Sequence, residues 1–338
     1  MTSFRSQPNA ERAATTCLVC GVGAAQTYRV VQDVQFFKCP DCGLICADPA
    51  FIRRIEAGEV ANYDSSYWDS EVHAADERCY GSSLARVAET LRLCRIPVQR
   101  FIDIGSGSGA LLDALTRLLP ELSSHFWGIE AFPPPEELRS KHPNYRIGTL
   151  ADLSETFDAG VCIEVIEHLS PAMVRGLAAD LARRATPGAL FYFNSSQPSF
   201  VETHDPGYLD PLGRGHIASY SVQGLAHLFN PSGFNIIPWP GRDWAFLAEY
   251  AGRQEVGRDE MFQRLWNPLP ENMNRLLSAR FGPLMVSIGF ESARCYLEHS
   301  IAAGQPTSEP SRMTEPVPRR WGSRWMGRLK WASMTQKP

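Results

Sequence analysis

The stretch from Gln99 to Glu130, QRFIDIGSGSGALLDALTRLLPELSSHFWGIE, constrains the fold of this chain more than any other. Arg100–Ile104 is a short apolar run with an acid, Asp103, near its end, and it leads into Gly105, Gly107 and Gly109. From Ala110 onward, Leu111, Leu112, Leu115, Leu118 and Leu119 fall at helical spacing up to a stop at Pro120. The pattern predicts a strand, a glycine turn and a helix, then a second strand at His125–Ile129 closed by Glu130. Glycines let a backbone turn tightly and come close to a ligand, and the helix N-terminus offers it unpaired N–H groups. An acid at the end of the second strand, about twenty residues beyond the glycines, suits the two hydroxyls of a ribose.

The third glycine comes too early for the G-x-G-x-x-G of dinucleotide binding, because Gly105-x-Gly107-x-Gly109 is G-x-G-x-G with Asp103 two residues ahead. That form, D-I-G-S-G-S-G, resembles the first motif of class I S-adenosylmethionine-dependent methyltransferases. Two other readings remain open at this point. One is a nicotinamide-linked Rossmann oxidoreductase, and the other is a tight turn of small residues that binds nothing.

Four of the nine cysteines form a second pattern. Cys17-x-x-Cys20 and Cys39-x-x-Cys42 are two knuckles separated by 18 residues, the spacing of a four-thiolate zinc site. Thr27–Val34 and Gln35–Lys38 between them read as two short strands, which makes a zinc ribbon. A segment this short cannot build a core alone, so the metal would supply the folding energy. Four thiolates leave no open position, which makes the zinc structural. Disulfides are the alternative where the compartment is oxidising. Cys46 lies outside the pair rhythm, and Cys79, Cys94, Cys162 and Cys295 sit among apolar neighbours as core residues do.

A formal net charge of −4 and 44% hydrophobic residues in 338 suit a soluble protein with a large core and no overall pull toward nucleic acid. The basic residues form no stripe interleaved with aromatics, so no nucleic-acid partner is expected. No apolar run approaches a membrane span, and the first residues lack the apolar segment of a secretory signal, which leads us to expect a cytoplasmic protein.

Residues 48–98 read as a connector with a helix from about Ser82 to Cys94. The phrase F-K-C-P-D-C-G-L-I-C-A-D-P, followed by Y-D-S-S-Y-W, resembles methyltransferases that carry an N-terminal zinc-binding segment. The resemblance implies that Tyr63 or Tyr67 lies near the methionine end of S-adenosylmethionine; an aromatic staple between domains is the other reading. Beyond Glu130 strands and helices alternate, as a doubly wound sheet requires. A helix is expected from Glu136 to about His142, a strand at Tyr145–Ile147, a strand at Phe157–Ile163, a helix from Pro171 to about Ala185 and a strand at Ala189–Asn194. Asp152 falls in the turn after the weak strand, where the resemblance implies that a carboxylate accepts the adenine amino group.

F-D-A-G-V-C-I-E-V-I-E-H-L, then A-T-P-G-A-L-F-Y-F-N, resembles a second signature of class I methyltransferases, in the form found in small-molecule O- and C-methyltransferases. It implies that Glu164, Glu167 and His168 face the site. A buried histidine that holds its loop in shape is the other reading of His168. Ser195–Gly215 is a long loop rich in Pro, Gly, Asp and His, and such loops inside compact domains are usually functional. It carries His204 and leads to His216, ahead of a helix at Ser221–Phe229 and strands at Phe234–Pro238 and Trp244–Tyr250. His216, His168 and His204 are the candidate bases, because a neutral imidazole is the usual group for taking a hydroxyl proton.

The expected architecture is α/β: a Rossmann-like seven-stranded methyltransferase sheet with an N-terminal zinc ribbon and a helical C-terminal extension. Its segments are a ribbon at 1–47, the connector at 48–98, a cofactor-binding domain at 99–250, helices at 251–304 and a flexible basic tail at 305–338. The helices read as a cap or an oligomer contact. In the tail, Trp321, Trp325, Met326 and Leu329 share one arc of a helical wheel and arginines the other, which suits weak contact with an anionic membrane surface. Gly322 and Gly327 weaken that helix and leave a disordered basic tail as the other reading. The expected function is transfer of a methyl group from S-adenosylmethionine to a small-molecule acceptor such as a sugar, a lipid-linked intermediate or a secondary metabolite. Asp103, Gly105, Gly107, Gly109, Glu130, Asp152, Glu164 and Tyr67 would hold the cofactor. The competing readings are the oxidoreductase and a zinc-dependent interaction protein without activity.

Overall fold

A computed structural model describes residues 14–60, 68, 77–239, 241–251, 256 and 258–304, with side chains up to residue 295. Two sheets organise these residues. The first is antiparallel: β1 (Ala14–Thr16), β2 (Ala24–Val31), β3 (Val34–Lys38), β4 (Ile45–Ala47) and, from far along the chain, β10 (Ala218–Ser219). The β2–β3 hairpin turns through Gln32 and Asp33, both with positive φ (51° and 63°), which is the twist a two-residue hairpin needs. Helix α1 (Pro49–Glu56) follows β4 and is capped by Asp48, whose Oδ1 accepts from the N–H groups of Ala50 and Phe51.

The second sheet has seven strands in the order β11-β12-β9-β8-β5-β6-β7. These are β5 (Phe101–Ile104), β6 (Phe126–Glu130), β7 (Tyr145–Ile147), β8 (Phe157–Ile163), β9 (Ala185–Asn194), β11 (Phe234–Pro238) and β12 (Ala245–Tyr250). The run from β7 to β9 is parallel, and β12 is antiparallel to both of its neighbours. Inward residues alternate between two apolar layers, as the period of a strand dictates: in β9, Phe191 and Phe193 face one layer while Leu190 and Tyr192 face the other. The first layer holds α4 (Pro171–Arg184), α6 (Val222–Phe229) and the ribbon residues Phe36, Ile45 and Ala47. The second holds α2 (Ser82–Leu93), α3 (Ala110–Leu118) and the C-terminal helices α7 (Arg258–Trp266), α8 (Pro270–Leu277) and α9 (Gly282–Gly304).

Those last helices pack against α2. Arg92 Nε donates to the Leu265 carbonyl at 2.8 Å, and Asn272 Oδ1 accepts from the Val98 N–H at 2.8 Å. A fully buried bidentate pair, Arg242 with Glu89 at 2.6 and 2.7 Å, fixes α2 against the segment before β12.

Three expectations differ from what is observed. The first ribbon strand, expected at Thr27–Val34, ends at Val31, because the hairpin turns at Gln32 and Asp33. The helix expected from Glu136 to His142 is a single turn at Glu136–Leu138. Ser140 explains why: its N–H is committed to the Ser108 carbonyl (2.7 Å) and its hydroxyl to Asp113 (2.5 Å), which holds the chain extended against the glycine turn. The long loop from Ser195 contains a helix, α5 (Pro198–Thr203). The calls on Tyr63, Tyr67 and the tail at 305–338 lie outside the described residues.

Candidate active site

The carboxyl ends of β5, β6 and β8 open onto a cavity of about 440 Å³. Its floor is the glycine turn, of which Gly105 and Gly107 line the cavity and Gly109 stands outside the lining. Gly105, Gly107 and Gly109 have φ of 71°, 56° and 83°, where side chains are strained. Space forbids substitution as well: a Cβ on Gly105 would lie 2.4 Å from Val165 Cγ2, and one on Gly109 would lie 2.5 Å from Ser140 Cβ. The turn is stitched to the neighbouring strands. Tyr145 donates its hydroxyl to the Gly107 carbonyl at 2.7 Å, and the Gly107 N–H donates to Glu130 Oε2 at 2.7 Å. The other Glu130 oxygen accepts from the Phe132 N–H at 2.8 Å.

Asp103 and Glu130 both line this cavity and both are buried. Burial, and then the Glu130 charge, pushes the Asp103 carboxyl up to about 7. Glu130 is also raised by burial, against the N–H donors that stabilise its charge. Two carboxylates held in so dry a place favour a cationic ligand.

The opposite wall begins at Glu164, which follows β8 with φ of 54°, a strained position for a side chain of its kind. Asn194, at the end of β9, donates to Glu164 Oε1 at 2.5 Å. Glu167 is fully buried, and burial together with the Glu164 charge pushes its carboxyl well up. His168 lines the cavity, and His216 stands beside it with ring centroids 4.8 Å apart. Burial lowers His168 to about 4 and His216 to about 2, so both imidazoles are neutral at physiological pH. His216 Nδ1 lies 2.8 Å from the Tyr208 carbonyl, so that nitrogen carries the proton and Nε2 the lone pair.

The structure does not bring every candidate to the cavity. Asp152 is exposed and absent from the lining. Its Oδ2 accepts from the N–H and hydroxyl of Thr149, at 2.8 and 2.9 Å, closing a capping box that lowers its pKa. The spacing T-x-x-D signals such a box in the sequence. His204 is exposed at the end of α5, where its ring stacks on Phe200 and bonds to the Thr203 hydroxyl at 2.6 Å. Sequence reasoning missed Trp68, a buried residue of the lining whose ring approaches the Gly107 position within 3.8 Å. The Y-D-S-S-Y-W phrase carried that signal, one residue away from the tyrosine chosen. It also missed Tyr145 and Asn194, which stand outside the lining and bond to the Gly107 carbonyl and the Glu164 carboxylate.

The four knuckle cysteines converge in the ribbon. Their Sγ atoms all lie within 4.8 Å of one another, with Cys17 to Cys42 at 3.5 Å and Cys20 to Cys39 at 3.7 Å. A tetrahedral zinc with Zn–S bonds of about 2.3 Å separates its sulfurs by about 3.8 Å, so the donor set fits. Main-chain N–H groups of Val19 and Cys42 point at the Cys17 and Cys39 sulfurs, at 3.4 and 3.5 Å, as they do around bound thiolates. Cys46 lies in β4 and is not part of this cluster.

A search of curated proteins gives no match. Among solved structures the chain resembles CalS10, an amino pentose methyltransferase from Micromonospora echinaspora (18% identity, 53% of this chain and 96% of that one, TM-score 0.39). It also resembles DesVI of Streptomyces venezuelae (16%, 54% and 98%, TM-score 0.41). A third likeness is to human N-acetylserotonin methyltransferase (15%, 55% of this chain, TM-score 0.42), of which it spans 56%. Residues 59–238, more than half of the chain, match the family model of the methyltransferase domain, and the protein belongs to that family.

Proposed function

We propose that this methyltransferase carries the methyl group of S-adenosylmethionine to a hydroxyl of a small-molecule acceptor, a sugar, a lipid-linked intermediate or a secondary metabolite. The observation that carries the reading is the glycine turn held between two acids, with the Gly107 N–H on Glu130. Glu130 is the group for the ribose hydroxyls, and the positive-φ glycines let the methionine part reach the backbone. Asp103, poised near neutrality by burial, suits a cationic ligand. The adenine end falls to Gly148, Thr149 and Leu150, which line the cavity where Asp152 does not. A cavity of about 440 Å³ lies within the range typical of small-molecule sites, roughly 300–1,000 Å³.

The sulfonium brings a methyl group already primed for transfer, so the protein's share is to align the acceptor and remove its proton. His168, with Glu167 and His216 at its back, is the wall at which we place that proton removal. The cysteine cluster would hold zinc as a structural ion, with no open position for chemistry. Among the described residues no helix is long and apolar enough to cross a membrane. Calorimetric titration with S-adenosylmethionine and with NAD tests the cofactor. Mass spectrometry of acceptor mixtures incubated with labelled cofactor tests the transfer. Binding of NAD alone, or label on no acceptor, would overturn the reading.

A further inference from the structure

We propose that Glu167, His168 and His216 form a divalent-cation site in the wall of the cavity, chemically separate from the four cysteines. Donor atoms of Glu167, His168 and His216 lie within 4.8 Å of one another, close enough to contract onto one ion. Glu167 is 0% exposed and, among the described residues, pairs with no cationic side chain; the Ser195 hydroxyl and the Glu164 carboxyl are its side-chain neighbours. A buried carboxylate in that state is costly unless a cation or a proton joins it. The Glu164 carboxyl meets it from the cavity side, outside the cluster of ligand atoms.

The histidines are prepared for ligation. With the Nδ1 proton of His216 given to the Tyr208 carbonyl, its Nε2 lone pair is free to bind, the arrangement that orients metal-bound histidines elsewhere. The backbone holds the three together across some fifty residues of chain. Glu164 is fixed by its strained φ and by Asn194, and the Glu167 carbonyl accepts the Ile217 N–H at 2.9 Å, one residue from His216. Two cations act on this wall: Arg214 is exposed and screened by water, and Arg78, half-buried, lines the cavity on the Glu164 side.

Two imidazoles with one carboxylate suit Mn²⁺, Fe²⁺, Co²⁺ or Zn²⁺ better than Mg²⁺ or Ca²⁺, which prefer oxygen alone. Glu164 and His168 line the cavity, so the ion's remaining positions would face it. The consequence rests on the methyl-transfer reading. An acceptor hydroxyl bound there would lose its proton to solvent more easily. Its oxygen lone pair then forms the O–C bond as the S–C pair withdraws to sulfur, leaving S-adenosylhomocysteine. In that role His168 is a ligand and the ion, in place of an imidazole, activates the hydroxyl.

The test uses the full-length protein with its cysteine cluster intact, dialysed free of loose metal and titrated with Mn²⁺ by electron paramagnetic resonance, then with Co²⁺ by absorption. One Mn²⁺ per chain is expected, and a Co²⁺ spectrum lacking thiolate charge-transfer bands. Glu167→Gln and His216→Ala should each weaken Mn²⁺ binding at least about tenfold. His168→Ala, at the cavity surface, serves if the buried variants do not fold, and circular dichroism checks each. No saturable Mn²⁺ or Co²⁺ binding by the wild type would overturn the site, as would equal binding by all folded variants. Failure of the cofactor reading would look different: Mn²⁺ bound, with no S-adenosylmethionine bound.

Discussion

The main-chain N–H of Ile217 donates to the Glu167 carbonyl, and the Ile217 carbonyl accepts the N–H of Ala47, both at 2.9 Å. One residue thus joins the last ribbon strand to the loop that carries His168. The joint continues on either side. Ala218 and Ser219 pair with Cys46 and Ile45, Ser221 donates its hydroxyl to the Cys42 carbonyl, and Gln32 at the hairpin tip donates to Asp210 at 2.7 Å. The ribbon therefore buttresses the His168 side of the cavity, whereas the glycine turn is built from β5, β6 and β7.

Breaking the cysteine cluster should separate these two sides. Cys39→Ser is expected to release the bound metal, and the amides of Ile217 and Ala218 should then exchange faster with deuterium. Affinity for S-adenosylmethionine should change little, because none of the ribbon residues lines the cavity. Metal analysis with site-resolved hydrogen exchange checks this; full protection of Ile217 after the metal is lost would show that the ribbon does not support the loop.

Glu130 makes a sharper test of the cofactor reading. Its carboxylate accepts two main-chain N–H groups and, with the ligand bound, would accept ribose hydroxyls. Hydrogen bonds to a charged group contribute about 1.5–3 kcal/mol each. Glu130→Ala should weaken S-adenosylmethionine binding at least about tenfold by calorimetry. Unchanged affinity would remove Glu130 from the ribose role.

Asp103 predicts a pH dependence. Its folded pKa, about 7, stands above the value of about 3.9 expected in the unfolded chain, so the folded state binds the proton more tightly. Its contribution to stability is full below about pH 4 and is lost as pH rises through about 7, a change of about 4 kcal/mol at most. Asp103→Asn should flatten the fall in melting temperature across that window. A cationic cofactor, which prefers the ionised form, should flatten it too in the wild-type protein. Equal slopes in wild type and variant, without ligand, would contradict the buried carboxyl as the source.

The parts of the site that are local in sequence were legible in it. Asp103, the three glycines and Glu130 belong to one strand-turn-helix-strand unit, and each is placed by periodicity. What the sequence hid depends on distant contacts. Nothing local says that Ala218 and Ser219 complete the ribbon sheet, so the meeting of His216 with Glu167 and His168 could not be read. Glu136–His142 failed as a helix because Ser140 is bonded to Ser108 and Asp113, partners about thirty residues away. Asp152 differs from the other acids: its carboxylate closes a local capping box and stands outside the lining.

The three candidate histidines are no longer equivalent. Only His168 reaches the cavity, His216 supports it from behind with Nδ1 on the Tyr208 carbonyl, and His204 lies exposed against Phe200 and Thr203. With the proposed hydroxyl acceptor a proton must leave as the methyl moves, and a residue that assists this, as base or as ligand, contributes about 10²–10⁴-fold. His168→Ala should therefore lower turnover by about that factor while affinity for S-adenosylmethionine stays near wild type. His216→Ala should also lower it, through loss of the group that positions His168 or completes its ion. His204→Ala should leave turnover within about twofold, because surface substitutions of this kind rarely disturb more. Single-turnover rates with labelled cofactor check all three, and a His204 variant slower than the His168 variant would mean that the acceptor approaches from the α5 side.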